Sequence, residues 1–195
     1  MAYEIEIKAW LTEPEALLRR LEARTDRVKE YVKEDVYYRA PAAAPGGEAQ
    51  EFRLRRESGE NICTFKEKNI RRGVEVNREL EFTVSDAEAF HELVLRSGCS
   101  VFARKKKTGR VFSLPEADVE VSHIAGLGDF VEIEKIVEQD DPAHHDAAEQ
   151  VVRDLLRDLG IDENAIEARP YTRMLTERGH GVPGGDSVGG RGEAS

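Results

Sequence analysis

The stretch Tyr3-Glu4-Ile5-Glu6-Ile7-Lys8-Ala9-Trp10 alternates between uncharged and charged side chains from Tyr3 to Ala9. That is the two-residue period of a β-strand, in which successive side chains leave on opposite faces. Glu4, Glu6 and Lys8 therefore share one face, and Tyr3, Ile5 and Ile7 the other. The habit returns downstream. Arg53 and Arg55 flank Leu54, Lys66 and Lys68 share a face, and Glu132 and Glu134 stand opposite Val131 and Ile133. A solvated outer face accounts for any one of these strands, but such a face normally mixes signs. Here two strands carry paired glutamates and two carry paired basic residues, each at i and i+2. The pattern predicts a charged interior, with carboxylates in one part and cations in another.

Outward from this strand, the chain reads as strands joined by tight turns, with helices at some links. Thr12-Glu13-Pro14-Glu15 predicts a helix capped at Thr12, with Leu17, Leu18 and Leu21 as its apolar face to about Arg24. Residues 27–39 read as strand and 40–49 as a flexible loop. Residues 50–57 and 61–68 read as a hairpin around Ser58-Gly59-Glu60, and 73–84 as a further long strand. Ser85-Asp86-Ala87-Glu88 predicts a second capping box, with its helix ending at Ser97 before Gly98. Strands follow at about 100–107, 110–114, 117–124 and 129–138, then a helix over 143–159 and a short one over 171–177. The Gly-rich tail 179–195 lacks apolar periodicity and reads as disordered, which leaves 1–178 as one domain. Roughly eight strands with hairpin links predict an α+β fold: a closed or nearly closed antiparallel eight-stranded β-barrel with helices at the connections and the C-terminus.

Charge narrows the function classes. A net charge of -10 on 195 residues argues against a long nucleic-acid partner, which needs a basic excess. Two cysteines, Cys63 and Cys99, form neither a disulfide framework nor a zinc cage. The first residues carry no apolar signal core, and no stretch reaches membrane-spanning length, so a soluble cytoplasmic protein without a membrane partner is expected. His144 and His145 are adjacent and would point apart on a helix, so they read as solvated surface.

Paired carboxylates at strand spacing suit Mg²⁺ or Mn²⁺, hard cations that prefer oxygen ligands. Such a metal bridges phosphate oxygens, and Arg and Lys neutralise the remaining phosphate charge. Glu4-Ile5-Glu6-Ile7-Lys8 resembles the ExExK signature of the CYTH domain, the triphosphate tunnel metalloenzymes. The companions of that signature follow in the family order. They are Asp35-Val36-Tyr37-Tyr38, Phe52-Arg53-Leu54-Arg55, Thr64-Phe65-Lys66-Glu67-Lys68, Arg78-Glu79-Leu80-Glu81, Gly126-Leu127-Gly128-Asp129-Phe130-Val131-Glu132-Ile133-Glu134, and Arg169-Pro170-Tyr171 with Met174-Leu175. Two positions depart from the family pattern. Ser122 stands where the family often has an aspartate, with Glu120 as the nearby acidic residue. Gly109 interrupts the region of the family's K-x-R pair, where Arg104-Lys105-Lys106-Lys107 stands.

The resemblance implies a tunnel barrel that binds ATP, tripolyphosphate or another triphosphate. It implies Glu4, Glu6, Glu132 and Glu134 as ligands for Mg²⁺ or Mn²⁺, with Glu79 and Glu81 as additions. It implies Lys8, Arg53, Arg55, Lys66, Lys68, Arg78, Lys105 and Lys107 on the phosphates, and Lys8, Arg55 and Glu134 in the catalytic step. Strict alternation places Arg78 with Val76 and Leu80 rather than with Glu79 and Glu81, a conflict that a β-bulge would resolve. Within the family the likeness is greatest to class IV adenylyl cyclases, which make cyclic AMP and pyrophosphate from ATP. A triphosphatase and a non-catalytic polyphosphate or nucleotide sensor are the alternatives. Family members are often dimeric, so a homodimer is compatible with the resemblance.

Overall fold

The computed structural model describes residues 3–42, 49–71, 73–138 and 141–179, apart from the side chains of Lys68, Asn69 and Arg71. The tail beyond residue 179 and most of the 40–49 loop lie outside the described residues. Eight strands form one closed antiparallel barrel in the order β1-β5-β4-β3-β2-β6-β7-β8. They are β1 (Tyr3–Trp10), β2 (Val28–Arg39), β3 (Glu51–Glu57), β4 (Glu60–Arg71), β5 (Val74–Thr83), β6 (Ser100–Ser113), β7 (Asp118–Ile124) and β8 (Gly128–Val137). Four helices dress the barrel: α1 (Pro14–Glu22), α2 (Ala87–Arg96), α3 (Pro142–Asp158) and α4 (Tyr171–Glu177). The eight-stranded barrel expected from the alternating charges is thus the observed architecture. No helix among the described residues is long and apolar enough to cross a membrane.

Several boundaries move, each for a local reason. α1 starts at Pro14 after Glu13, with no side-chain cap, so Thr12 is not its capping residue. α2 is capped by Asp86 rather than Ser85, because the Asp86 carboxylate accepts from the Glu88 and Ala89 N–H groups. A carboxylate at that position also meets the positive end of the helix dipole. The β3–β4 turn is held by two residues with positive φ, Ser58 (52°) and Gly59 (83°), the mirror-image turn that suits twisted strands. The strands expected at 100–107 and 110–114 are one strand, β6. Gly109 does not break it. Its missing side chain is needed, because a Cβ there would lie 2.4 Å from the Val121 carbonyl oxygen and 2.6 Å from the Tyr31 hydroxyl.

The barrel is inside out relative to common expectation. Its apolar cores sit between its outer wall and the helices. Ile5, Ile7, Val131 and Ile133 point outward and pack with Leu17 and Leu21 of α1 and Val152, Leu155 and Leu156 of α3. On another side, Tyr38, Leu54 and Cys63 pack under Ala87 of α2, with Phe90 against them. Each fully buried Ile or Leu contributes about 1.5–3 kcal/mol. This outer packing offsets the cost of an interior filled with charge.

Candidate active site

The inward face of β1 carries Glu4, Glu6 and Lys8, all lining a cavity of about 920 Å³ inside the barrel. The ladders then set what faces them. Glu4 lies opposite Asn77 and Glu6 opposite Glu75 on β5. On β8, Glu6 lies opposite Glu134 and Lys8 opposite Glu132. The neighbouring strands β8, β1 and β5 therefore form an acidic arc that also includes Glu79 and Glu81. The neighbouring strands β3, β2 and β6 form a basic arc of Arg53, Arg55, Lys33, Lys105 and Lys107. Lys66 on β4 and Glu120 on β7 stand where the two arcs meet.

Within the acidic arc, the Lys66 ammonium lies 2.9 Å from Glu4 and 2.7 Å from Glu79. Burial pushes the Glu4 carboxyl well up, and the nearby charges of Glu6 and Glu134 add to the effect against the pull of Lys66. Burial, and then Glu6, raise Glu134 to about 7. Burial would also raise Glu79, but its hydrogen bond with Glu4 and the Lys66 ammonium outweigh it and hold the carboxyl at about 2. These shifts mark an excess of carboxylate over cation on this side.

The basic arc is organised on Asp35. Arg55 donates two hydrogen bonds to its carboxylate, at 2.8 and 3.0 Å, and Lys105 lies 3.1 Å away. Burial would raise Asp35, but Lys105 and Arg55 hold it far below the usual carboxylate range. Lys105 is lowered to about 8 by burial, which Asp35 only partly offsets. Lys107 is held by Glu132 and by Glu120 at 2.5 Å, and these carboxylates keep it protonated against burial. Arg53 donates to Thr64 Oγ1 (2.9 Å), which in turn donates to Glu81 (2.7 Å).

Helix α4 covers one end of the barrel. Tyr171, Met174 and Leu175 pack on Ile124, Leu127 and Phe130, with Trp10 beside them. The Tyr171 ring borders the cavity, with the ammonium groups of Lys8, Lys105 and Lys107 at 4.5, 4.9 and 5.7 Å from its centre. Lys8 also donates to the Arg169 carbonyl at 2.9 Å.

Most residues singled out in the sequence meet in this cavity: Glu4, Glu6, Glu79, Glu81, Glu132, Glu134, Lys8, Arg53, Arg55, Lys66, Lys105 and Lys107. Lys106 points outward to Glu34, which separates it from Lys105 and Lys107. Arg78 does not join them. It lies on the outer face and pairs with Glu67, because β5 keeps unbroken register with β4 and no bulge turns it inward. The side chain of Lys68 lies outside the described residues. Sequence reading missed Lys33 and Glu75 and gave Asp35 no site role. The alternation Tyr31, Lys33, Asp35, Tyr37 carried the signal on β2, masked by Glu30 and Glu34 on the other face. The two departures, Gly109 and Ser122, are direct partners on β6 and β7.

The donor chemistry of the acidic arc fits a hard divalent cation, since its acidic side chains are all carboxylates, which offer oxygen donors. As the side chains stand, no three acidic groups among the described residues close on one point, and Lys66 supplies the positive charge between Glu4 and Glu79. A cation would take over a neutralising role already present in the arc.

Comparison with known proteins places this architecture. The CYTH domain family model matches residues 2–171. A Methanocaldococcus jannaschii protein provisionally named an adenylate cyclase is 21% identical over 172 residues, covering 88% of this chain and 97% of that one. The solved structure of a conserved Pyrococcus furiosus protein is 30% identical, covers 87% of this chain and 98% of its own, and superposes with a TM-score of 0.71. A Hippeastrum protein, described as a provisional adenylyl cyclase with a dominant triphosphatase activity, shares the fold at 15% identity and a TM-score of 0.62, covering 94% of this chain and 98% of its own. With a family match over most of its length and a barrel of the same build, the chain belongs to the CYTH domain family.

Proposed function

We propose that this protein binds a triphosphate inside the barrel together with Mg²⁺ or Mn²⁺ and acts on it as an adenylyl cyclase. The observation that carries the reading is the division of one cavity into a basic and an acidic arc on opposite strands. A polyphosphate needs cations along its length, whereas a sugar or a neutral ligand needs neither arc. The name of the Methanocaldococcus jannaschii relative favours the cyclase.

Glu4, Glu6, Glu132 and Glu134, with Glu79 and Glu81, are the residues that would hold the cation. When bound, it would supply positive charge beside the phosphates and ease deprotonation of the attacking hydroxyl. In the cyclase reaction the ribose 3′-oxygen bonds to the α-phosphorus, the bond to the pyrophosphate oxygen breaks, and the hydroxyl proton passes to a carboxylate. We assign that role to Glu134. Arg53, Arg55, Lys105 and Lys107 stabilise the charge that develops on the leaving pyrophosphate, and Lys8 and Lys66 hold phosphate oxygens beside the acidic arc. Charges fixed before reaction need no reorganisation during it.

The second reading is a triphosphatase, in which water attacks the terminal phosphorus in the same grip. The Hippeastrum protein favours it, because there a cyclase-type fold carries a dominant triphosphatase activity. Incubation with ATP or tripolyphosphate and Mg²⁺ or Mn²⁺, followed by chromatography, separates the two. Cyclic AMP with pyrophosphate is the expected result. Orthophosphate without cyclic AMP establishes the triphosphatase instead, and binding without turnover points to a sensor.

The basic arc has its own pH signature. Lys105 is lowered to about 8 by burial, so it sheds its proton as pH rises through that value. Tripolyphosphate affinity should therefore fall between pH 7.5 and about 9.5, followed by titration calorimetry. Lys105→Met should weaken binding at pH 7 and flatten this dependence. A wild-type affinity constant over the whole range, together with unchanged binding by Lys105→Met at pH 7, would exclude Lys105 from the phosphate site.

A further inference from the structure

Tyr31 stands behind the cavity wall, on the inward face of β2 at the position opposite Gly109 of β6. It is 6% exposed and does not line the cavity, whereas Lys33, two residues along, does. Its ring fits there because Gly109 has no side chain. A Cβ at Gly109 would come within 2.6 Å of the Tyr31 hydroxyl and 2.9 Å of Ser122 Cα. No positive φ requires glycine at this position, so close approach is the reason for it. The hydroxyl emerges from this socket to donate a hydrogen bond to Glu120. Glu120 lines the cavity, lies 3.2 Å from Lys33 and 2.5 Å from Lys107, and faces Glu132 across the β7–β8 ladder. The Lys33 ammonium also sits 4.1 Å from the centre of the Tyr31 ring.

We propose that Tyr31, seated over Gly109, is a positioning residue that holds Glu120 at the rear wall and keeps Lys33 and Lys107 available to phosphate. The inference rests on the triphosphate reading of the cavity. Its logic is competition. Glu120 is an anion within reach of both lysines, so it competes with any phosphate for them. A hydroxyl that donates to this carboxylate takes up part of its accepting capacity and fixes its direction. Without the donor, the carboxylate turns fully onto the ammonium groups. A phosphate must then displace a stronger internal ion pair.

The test compares Tyr31→Phe, Glu120→Gln and the double variant, with tripolyphosphate as the probe in titration calorimetry at pH 7 and Mg²⁺ present. Both changes are nearly isosteric, and thermal melting checks the fold. Tyr31→Phe should weaken binding about tenfold, the scale of a hydrogen bond to a charged group. Glu120→Gln removes the competitor, so the double variant should bind no more weakly than Glu120→Gln alone. A tyrosine with a merely structural role would cost the same in both backgrounds. An unchanged affinity in Tyr31→Phe, or a loss that persists alongside Glu120→Gln, overturns the inference while leaving the triphosphate reading intact. A wild-type protein that binds no tripolyphosphate, with or without the metal, overturns both.

Discussion

Glu6→Ala should lower triphosphate turnover by about 10³-fold or more while the protein remains as stable as before, because on the function proposed above Glu6 is one of the carboxylates that would hold the metal in the transition state. The stability half follows from the structure. Glu6 is a buried carboxylate opposite Glu134, whose carboxyl is raised to about 7 by burial and then by the charge of Glu6. Removing Glu6 relieves that repulsion. The attraction of Glu6 for Lys66, 3.9 Å away, is lost at the same time, and Lys66 keeps closer partners in Glu4 and Glu79, so loss and relief offset. Turnover by chromatography and unfolding in denaturant measure the two halves. Activity within about tenfold of wild type would remove Glu6 from the site, and a loss of stability matching the loss of activity would make its role structural.

Asp35→Ala should have the opposite character, with a loss of about 3–5 kcal/mol of stability. Asp35 is 2% exposed and neutralises both Arg55 and Lys105. Its removal leaves two buried cations without their closest counter-ion, which is where breaking a buried ion pair costs most. The same geometry predicts a pH dependence. The folded-state value of Asp35 lies far below its unfolded value of about 3.9, so the stabilisation is complete above that value. It fades as pH falls below about 4, toward the folded-state value. The variant should therefore lose stability at pH 7 and show a smaller additional loss between pH 4 and pH 2 than wild type. Guanidinium unfolding at a series of pH values checks both. A change below about 1 kcal/mol at pH 7 would mean that Arg55 and Lys105 find water or another anion when Asp35 is gone.

Much of the barrel was legible because charge and apolar side chains alternate with the strand period. Glu4-Ile5-Glu6-Ile7-Lys8 and Val131-Glu132-Ile133-Glu134 announce inward carboxylates directly, since a period of two leaves each residue only one of two faces. Arg78 shows the limit of motif likeness. It stands next to inward-facing Glu79, yet alternation put it outside, and alternation was the better guide. Lys105 and Lys107 could not be separated from Lys106 by composition, because all three are lysines in one run. Only their pairing with Asp35, Glu132 and Glu34 distinguishes inside from outside. Thr12 and Ser85 look like helix caps in sequence. The chain begins its helices one or two residues later, where Pro14 and Asp86 set the backbone and the first hydrogen bonds.

What the sequence by itself determined is the local alternation: which side chains share a face of each strand, and hence that one face of this sheet is charged. The period is a property of the backbone and needs no partner. What only the tertiary structure decided is which strands stand together. The order β8-β1-β5 gathers glutamates from residues more than a hundred positions apart, and β3-β2-β6 gathers the cations across from them. It also decided that Gly109, which reads in sequence as a break, is a socket for Tyr31. Closure of the barrel turns these single faces into one cavity. The balance of burial, repulsion and pairing that tunes Glu134, Asp35 and Lys105 exists only after that closure.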